Sequence, residues 1–127
     1  MRAIPLALAL ALLATPASAA DFYQPCQSAN GDDGVAVCRA KLGELEAAKA
    51  SMPAAEYWDS RARIEYLIAK RLGRAAGRPT PEVCDALERA NWSSDQAPGA
   101  LKIKSTMNLS RSVGQCREVF GKPDWAE

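Results

Sequence analysis

Three features of this sequence predict an all-α fold: a small antiparallel four-helix bundle with an irregular N-terminal lead-in, pinned by two disulfides. Ala, Leu, Glu, Lys and Arg dominate while β-branched residues are sparse, a balance that favours helix. Apolar residues recur at spacings of three and four in several segments, which places them on one buried helical face. Stop and start signals stand between those segments, at Pro53, Gly77, Thr80-Pro81 and Gly121 with Pro123.

Residues 1–20 read as a cleavable secretory signal peptide. Arg2 gives a positive start, and Leu6–Ala14 is an unbroken apolar run of nine residues. Pro16 ends the run, and Ala17-Ser18-Ala19 presents the small residues that a signal peptidase accepts. The run is shorter than the roughly 20 residues a membrane helix needs. Cleavage after Ala19 or Ala20 leaves one domain over 21–127, with no membrane span and a periplasmic or secreted location. No cysteine directly follows the cleavage sites, so no lipid anchor is expected there. The Ala-, Leu- and Arg-rich composition points to a bacterial periplasm.

Residues 21–32 contain Pro25, Asn30 and Gly31 and are expected to be irregular. Asp32 or Asp33 then caps a first helix that runs to about Ala50, with Val35, Cys38, Leu42 and Leu45 as its stripe. A second helix covers Pro53 to about Ala76, with Tyr57, Ile64, Ile68, Leu72 and Ala75 on one face and Gly77 as terminator. Thr80 as cap and Pro81 at the first helical position start a third helix, which carries Val83, Leu87 and Ala90 to about Asn91. Residues 92–104 allow a loop. Ser105–Phe120 forms the last helix, with Leu109, Val113, Cys116 and Phe120 in line.

Cys26, Cys38, Cys84 and Cys116 are separated by 12, 46 and 32 residues. An even count in an exported chain reads as two disulfides, whereas structural zinc usually shows closely spaced cysteine pairs. In an up-down-up-down bundle the starts of helices one and three and the end of helix four meet at one end, which gathers the sulfurs there. Cys26–Cys38 and Cys84–Cys116 are the favoured pairs, with loop entropies of about 2.9 and about 3.7 kcal/mol. Cys38–Cys84 with Cys26–Cys116 is the alternative.

The chain has no histidine, which removes Ser-His-Asp and Cys-His catalysis and imidazole ligands for zinc. No P-loop or dinucleotide fingerprint is present, so neither a catalytic residue, a metal nor a cofactor is assigned. Without Arg2 the side chains hold fifteen basic and fifteen acidic groups, which argues against a nucleic-acid partner. Glu44, Glu46, Asp85 and Glu88 read as solvated helix-face residues, with Asp85 and Arg89 spaced as a surface pair.

The second helix carries the most unusual pattern. Arg63, Lys70, Arg71, Arg74 and Arg78 fall within roughly 100° of arc beside its apolar stripe. They form either a solvated face suited to the helix C-terminus or an anion-recognition strip. Arg61 plots near the middle of the apolar face, either paired with Glu65 or facing an anionic ligand. The segment Arg63-Ile64-Glu65-Tyr66-Leu67-Ile68-Ala69-Lys70-Arg71-Leu72 resembles the arginine-bearing helix of exported all-helical chorismate mutases. The lysine that follows in that family falls on Glu82 here, beyond the Thr80-Pro81 break, so the chain is not assigned to it.

The expected function is that of a small exported binding or inhibitor-like protein, non-enzymatic, presenting a helical surface to another protein or an envelope component. A small enzyme or carrier for an anionic metabolite, and a structural envelope component, are the alternatives.

Overall fold

The computed structural model describes residues 20–29, 33–97, 99, 104 and 107–126. The signal segment therefore lies outside the described residues except for Ala20. Among the described residues the chain forms five α-helices and no strand: α1 Ala20–Ser28, α2 Asp33–Ala48, α3 Ala54–Ala76, α4 Pro81–Gln96 and α5 Leu109–Phe120.

The lead-in is not irregular: α1 is a fifth helix with Pro25 inside it. A nine-residue helix lacking one backbone donor is marginal alone, so its stability comes from tertiary contacts. Phe22 and Cys26, four residues apart, are buried to 7% and 0% exposure. Cys26 is bonded to Cys38 of α2. The Arg71 guanidinium also donates to the carbonyls of Gln27 and Ala29, at 3.1 and 2.8 Å, covering the helix's open C-terminal end.

The long helices follow their local signals closely. A short 3₁₀ turn, Lys49–Ser51, ends α2, and the Ser51 hydroxyl donates to the Ala48 carbonyl. Gly77, at φ 70°, closes α3 with its N–H on the Gly73 carbonyl. Thr80 caps α4 by accepting from the Val83 N–H at 3.2 Å. However, α4 runs beyond Asn91 to Gln96, because its serines find internal acceptors. Ser94 donates to the Asn91 carbonyl and Ser93 to Glu65. The last helix, expected from Ser105, is described over Leu109–Phe120. Asn108 precedes it in the left-handed region at φ 53°, and Ser105 and Thr106 lie outside the described residues. Ala75 and Phe120, predicted on apolar faces, are exposed in the last turns of α3 and α5.

Residue pairs fix the helix directions. Arg61 faces Glu46 while Arg71 reaches Gly34, so α2 and α3 are antiparallel. Trp58 meets Trp92 while Gly73 lies beside Val83, so α3 and α4 are antiparallel too. The end of α3 therefore stands beside the starts of α2 and α4. Cys26–Cys38 sits there against Arg71, and Cys84–Cys116 joins the start of α4 to the end of α5 near Gly77 and Arg78. All four sulfurs share this end. Leu45, Tyr57, Ile64 and Leu109 are the largest fully buried apolar side chains.

Candidate functional site

The cations predicted on α3 divide into two groups. Arg61 is turned inward, its side chain only 19% exposed. It donates to the Tyr57 hydroxyl at 3.1 Å and lies 3.5 Å from Glu65 and 3.6 Å from Glu46. The guanidinium also stands over the Trp58 and Trp92 rings, at 5.4 and 5.8 Å. Its Nε is buried without a hydrogen bond among the described residues. Glu65 is 3% exposed and accepts a short hydrogen bond from Ser93 of α4. Burial pushes the Glu65 carboxyl above its usual range, and the Ser93 bond and the Arg61 charge oppose that rise.

Arg63 binds both carboxylate oxygens of Asp59, at 3.2 and 3.0 Å, and stacks 5.6 Å from the Tyr23 ring of α1. Arg71 caps α1, with Nη1 3.4 Å from the Cys38 sulfur. That approach depends on glycine at position 34. A Cβ there would fall 2.6 Å from Arg71 Nε and 2.7 Å from its Cδ.

Lys70, Arg74 and Arg78 differ from these three. All are exposed, and none makes an ion pair with a described residue. Lys70 lies 5.6 Å from the centre of the Tyr66 ring. It also stands between two clefts. One, of about 430 Å³, opens between α3, α4 and α5; Ala69, Gly73, Val83 and Leu87 form its floor, and Lys70 and Arg78 its rim. The other, of about 280 Å³, runs between Tyr23 and Gln27 of α1 and Arg63, Tyr66 and Lys70 of α3. A third, of about 180 Å³, is bounded by charges that are largely matched, with Arg39 on Glu82 at 3.0 Å and Arg89 on Asp85 at 2.8 Å. Arg61 lines none of these three clefts.

This arrangement encloses two adjacent serines of α4. Ser93 and Ser94 are fully buried, and no group of three or more acidic or cysteine side chains is placed to hold a metal among the described residues. What it offers is a cationic edge beside apolar hollows.

No protein-family model matches the sequence, and neither a curated protein nor a solved structure matches it.

Sequence reasoning misplaced one acid and missed the clefts. Glu88 is not solvated: it is 2% exposed and takes two hydrogen bonds from Arg117 of α5, at 2.6 and 2.9 Å. Its place three residues from Asp85 gave no local sign of this, because the partner lies 29 residues on. The alternation of Val83, Leu87 and Ala90 with Ala86 was the available signal, since it makes the buried face of α4 wide enough to include residue 88.

Proposed function

We propose that this chain is an exported, non-enzymatic binding or inhibitor-like protein that holds an acidic protein or envelope component against the C-terminal half of α3. The observation that carries this reading is the unmatched charge of Lys70, Arg74 and Arg78. Arg39, Lys41, Arg61, Arg63, Arg89 and Arg117 each meet a carboxylate within 3.6 Å. Lys49, Arg111 and Lys122 also lack one among the described residues, but they are spread along the chain, whereas Lys70, Arg74 and Arg78 cluster at the end of α3. The negative end of the helix dipole favours cations by about 0.3–1 kcal/mol in the last turn only. It accounts for Arg74 and Arg78 but not for Lys70, which stands further back. A cationic edge that the protein itself leaves unneutralised suits an acidic partner.

Two disulfides and the N-terminal signal pattern agree with a periplasmic or secreted setting. The alternative of an enzyme or carrier gripping an anionic metabolite through Arg61 gains no support from the fold. That guanidinium is taken up by Tyr57, Glu46 and Glu65.

The test is capture from the native envelope with wild-type protein and a Lys70→Glu, Arg74→Glu, Arg78→Glu variant, with co-eluting proteins identified by mass spectrometry. All three side chains are exposed, so the variant should keep the wild-type helix content and thermal midpoint. An acidic partner retained by the wild type and lost by the variant is the expected result. Equal retention by both would overturn the reading.

A further inference from the structure

We infer that the acidic partner is an amphipathic helix, which lays its apolar face in the 430 Å³ cleft between α3 and α5 and sets carboxylates on Lys70 and Arg78. This rests on the binding reading above and names the chemistry of its partner.

The cleft exists because α5 packs on α4, to which Cys116 is bonded, and leaves a trough between itself and α3. Its floor is apolar, from Ala69, Gly73, Val83 and Leu87, while Ser112 and Gln115 of α5 edge the far wall. A hollow of this size lies within the range of about 300–1,000 Å³ typical of binding pockets. Gly73 deepens it. A glycine inside a helix costs about 1 kcal/mol relative to alanine, and no crowding requires one here. A Cβ at position 73 would meet nothing closer than Val83 Cγ1 at 3.7 Å, an ordinary contact. The glycine therefore leaves a methyl-sized notch against Val83 in the cleft floor.

The charges choose between occupants. Both cations stand on the cleft rim: from Lys70 to the last residue of α3 the helix rises about 9 Å at 1.5 Å per residue, and Arg78 follows two residues past that end. A single anionic headgroup reaches one of them. A helix with carboxylates two turns apart spans the same distance and meets both, and its residues at i, i+3, i+4 and i+7 then face the apolar floor. Trough, floor and charge spacing all fit such a helix.

The probe is a synthetic helical peptide with leucines at i, i+3, i+4 and i+7 and glutamates two turns apart, labelled for fluorescence anisotropy against the full disulfide-bonded protein. Two control peptides replace the leucines by serine or the glutamates by lysine. Wild type should bind the acidic leucine peptide at least tenfold more tightly than either control, with affinity falling as salt rises. Gly73→Leu fills the trough while raising helix propensity, and should weaken binding at least tenfold with the thermal midpoint kept or raised. Ser112→Trp closes the opposite wall and provides a second block should Gly73→Leu disturb the fold. Lys70→Glu with Arg78→Glu should abolish binding.

If both blocking variants bind the peptide as wild type does while the charge variant does not, the cleft inference fails and the basic-edge reading stands. Equal binding of the serine control would overturn the inference in the same way, as would no binding of the acidic peptide at all. Phosphatidylglycerol vesicles held with the same sensitivity to Gly73→Leu would also overturn it, by giving the cleft to a lipid.

Discussion

The two halves of α3 carry similar numbers of cations and treat them in opposite ways. In the N-terminal half, Arg61 and Arg63 are matched by Glu46, Glu65 and Asp59 and stack on aromatic rings. In the C-terminal half, Lys70 and Arg74 have no carboxylate among the described residues, nor has Arg78 just past its end, and only Arg71 is taken inward, onto the end of α1. Net charge alone is blind to this difference. A cation already satisfied within the chain holds the fold, whereas one left unmatched on the surface is available to something else.

The sharpest way to break the comparison is to remove a matched cation. Arg61→Met leaves the Glu65 carboxylate buried with Ser93 as its remaining close partner, and should lower stability by about 3 kcal/mol at neutral pH, read from denaturant midpoints. That loss should shrink in acid. Glu65 has a raised pKa, so it binds its proton more tightly in the folded chain than in the unfolded one. Its protonation favours the fold fully below about pH 4.5, and that contribution is lost as pH rises through the raised value. Stability measured across this window should therefore decline with pH in wild type relative to Glu65→Gln. A difference that grows with pH would contradict the assignment.

The next largest effect concerns Arg71, the inward member of the C-terminal half. Gly34→Ala places a methyl group where Arg71 Nε and Cδ lie, so the side chain must leave the α1 carbonyls or α2 must shift. A loss of about 1–3 kcal/mol is expected, with amide exchange quickened most in α1. Unchanged protection in α1 would show that the Arg71 clamp adds nothing to the disulfide.

The smallest effects test the outer edge itself. Lys70→Glu with Arg78→Glu should change stability by no more than about 0.5 kcal/mol, as exposed charges usually do. Asp59→Asn should be equally mild, yet it turns Arg63 into an unmatched cation beside Lys70. Partner capture should then hold or strengthen, which circular dichroism and pull-down together would show.

Much of the framework was legible because its signals are local. Thr80-Pro81, Gly77 and Gly121 act through their own backbones, and their helices end where they dictate. The gathering of the four cysteines at one end followed from helix order, whereas their pairing stayed open between two arrangements, of which the structure holds Cys26–Cys38 with Cys84–Cys116. What escaped was set by distant partners. The helicity of α1 needs Cys38 and Arg71, which lie outside its own segment. The continuation of α4 through Ser93 needs Glu65, 28 residues away. Arg71 was indistinguishable from Arg74 by spacing, because only the position of α1 and the missing Cβ at Gly34 tell them apart. The 430 Å³ cleft was illegible for a related reason, since it depends on α5 lying against α4 rather than α3.

The Cys84–Cys116 bond has a consequence for a chain that meets proteases. It closes residues 84–116 into a covalent ring containing the whole connection from α4 to α5. A single backbone cut between Ala97 and Asn108 opens that ring without releasing either piece, and both walls of the trough remain on one molecule. Such a nick would show as two fragments only on a reducing gel.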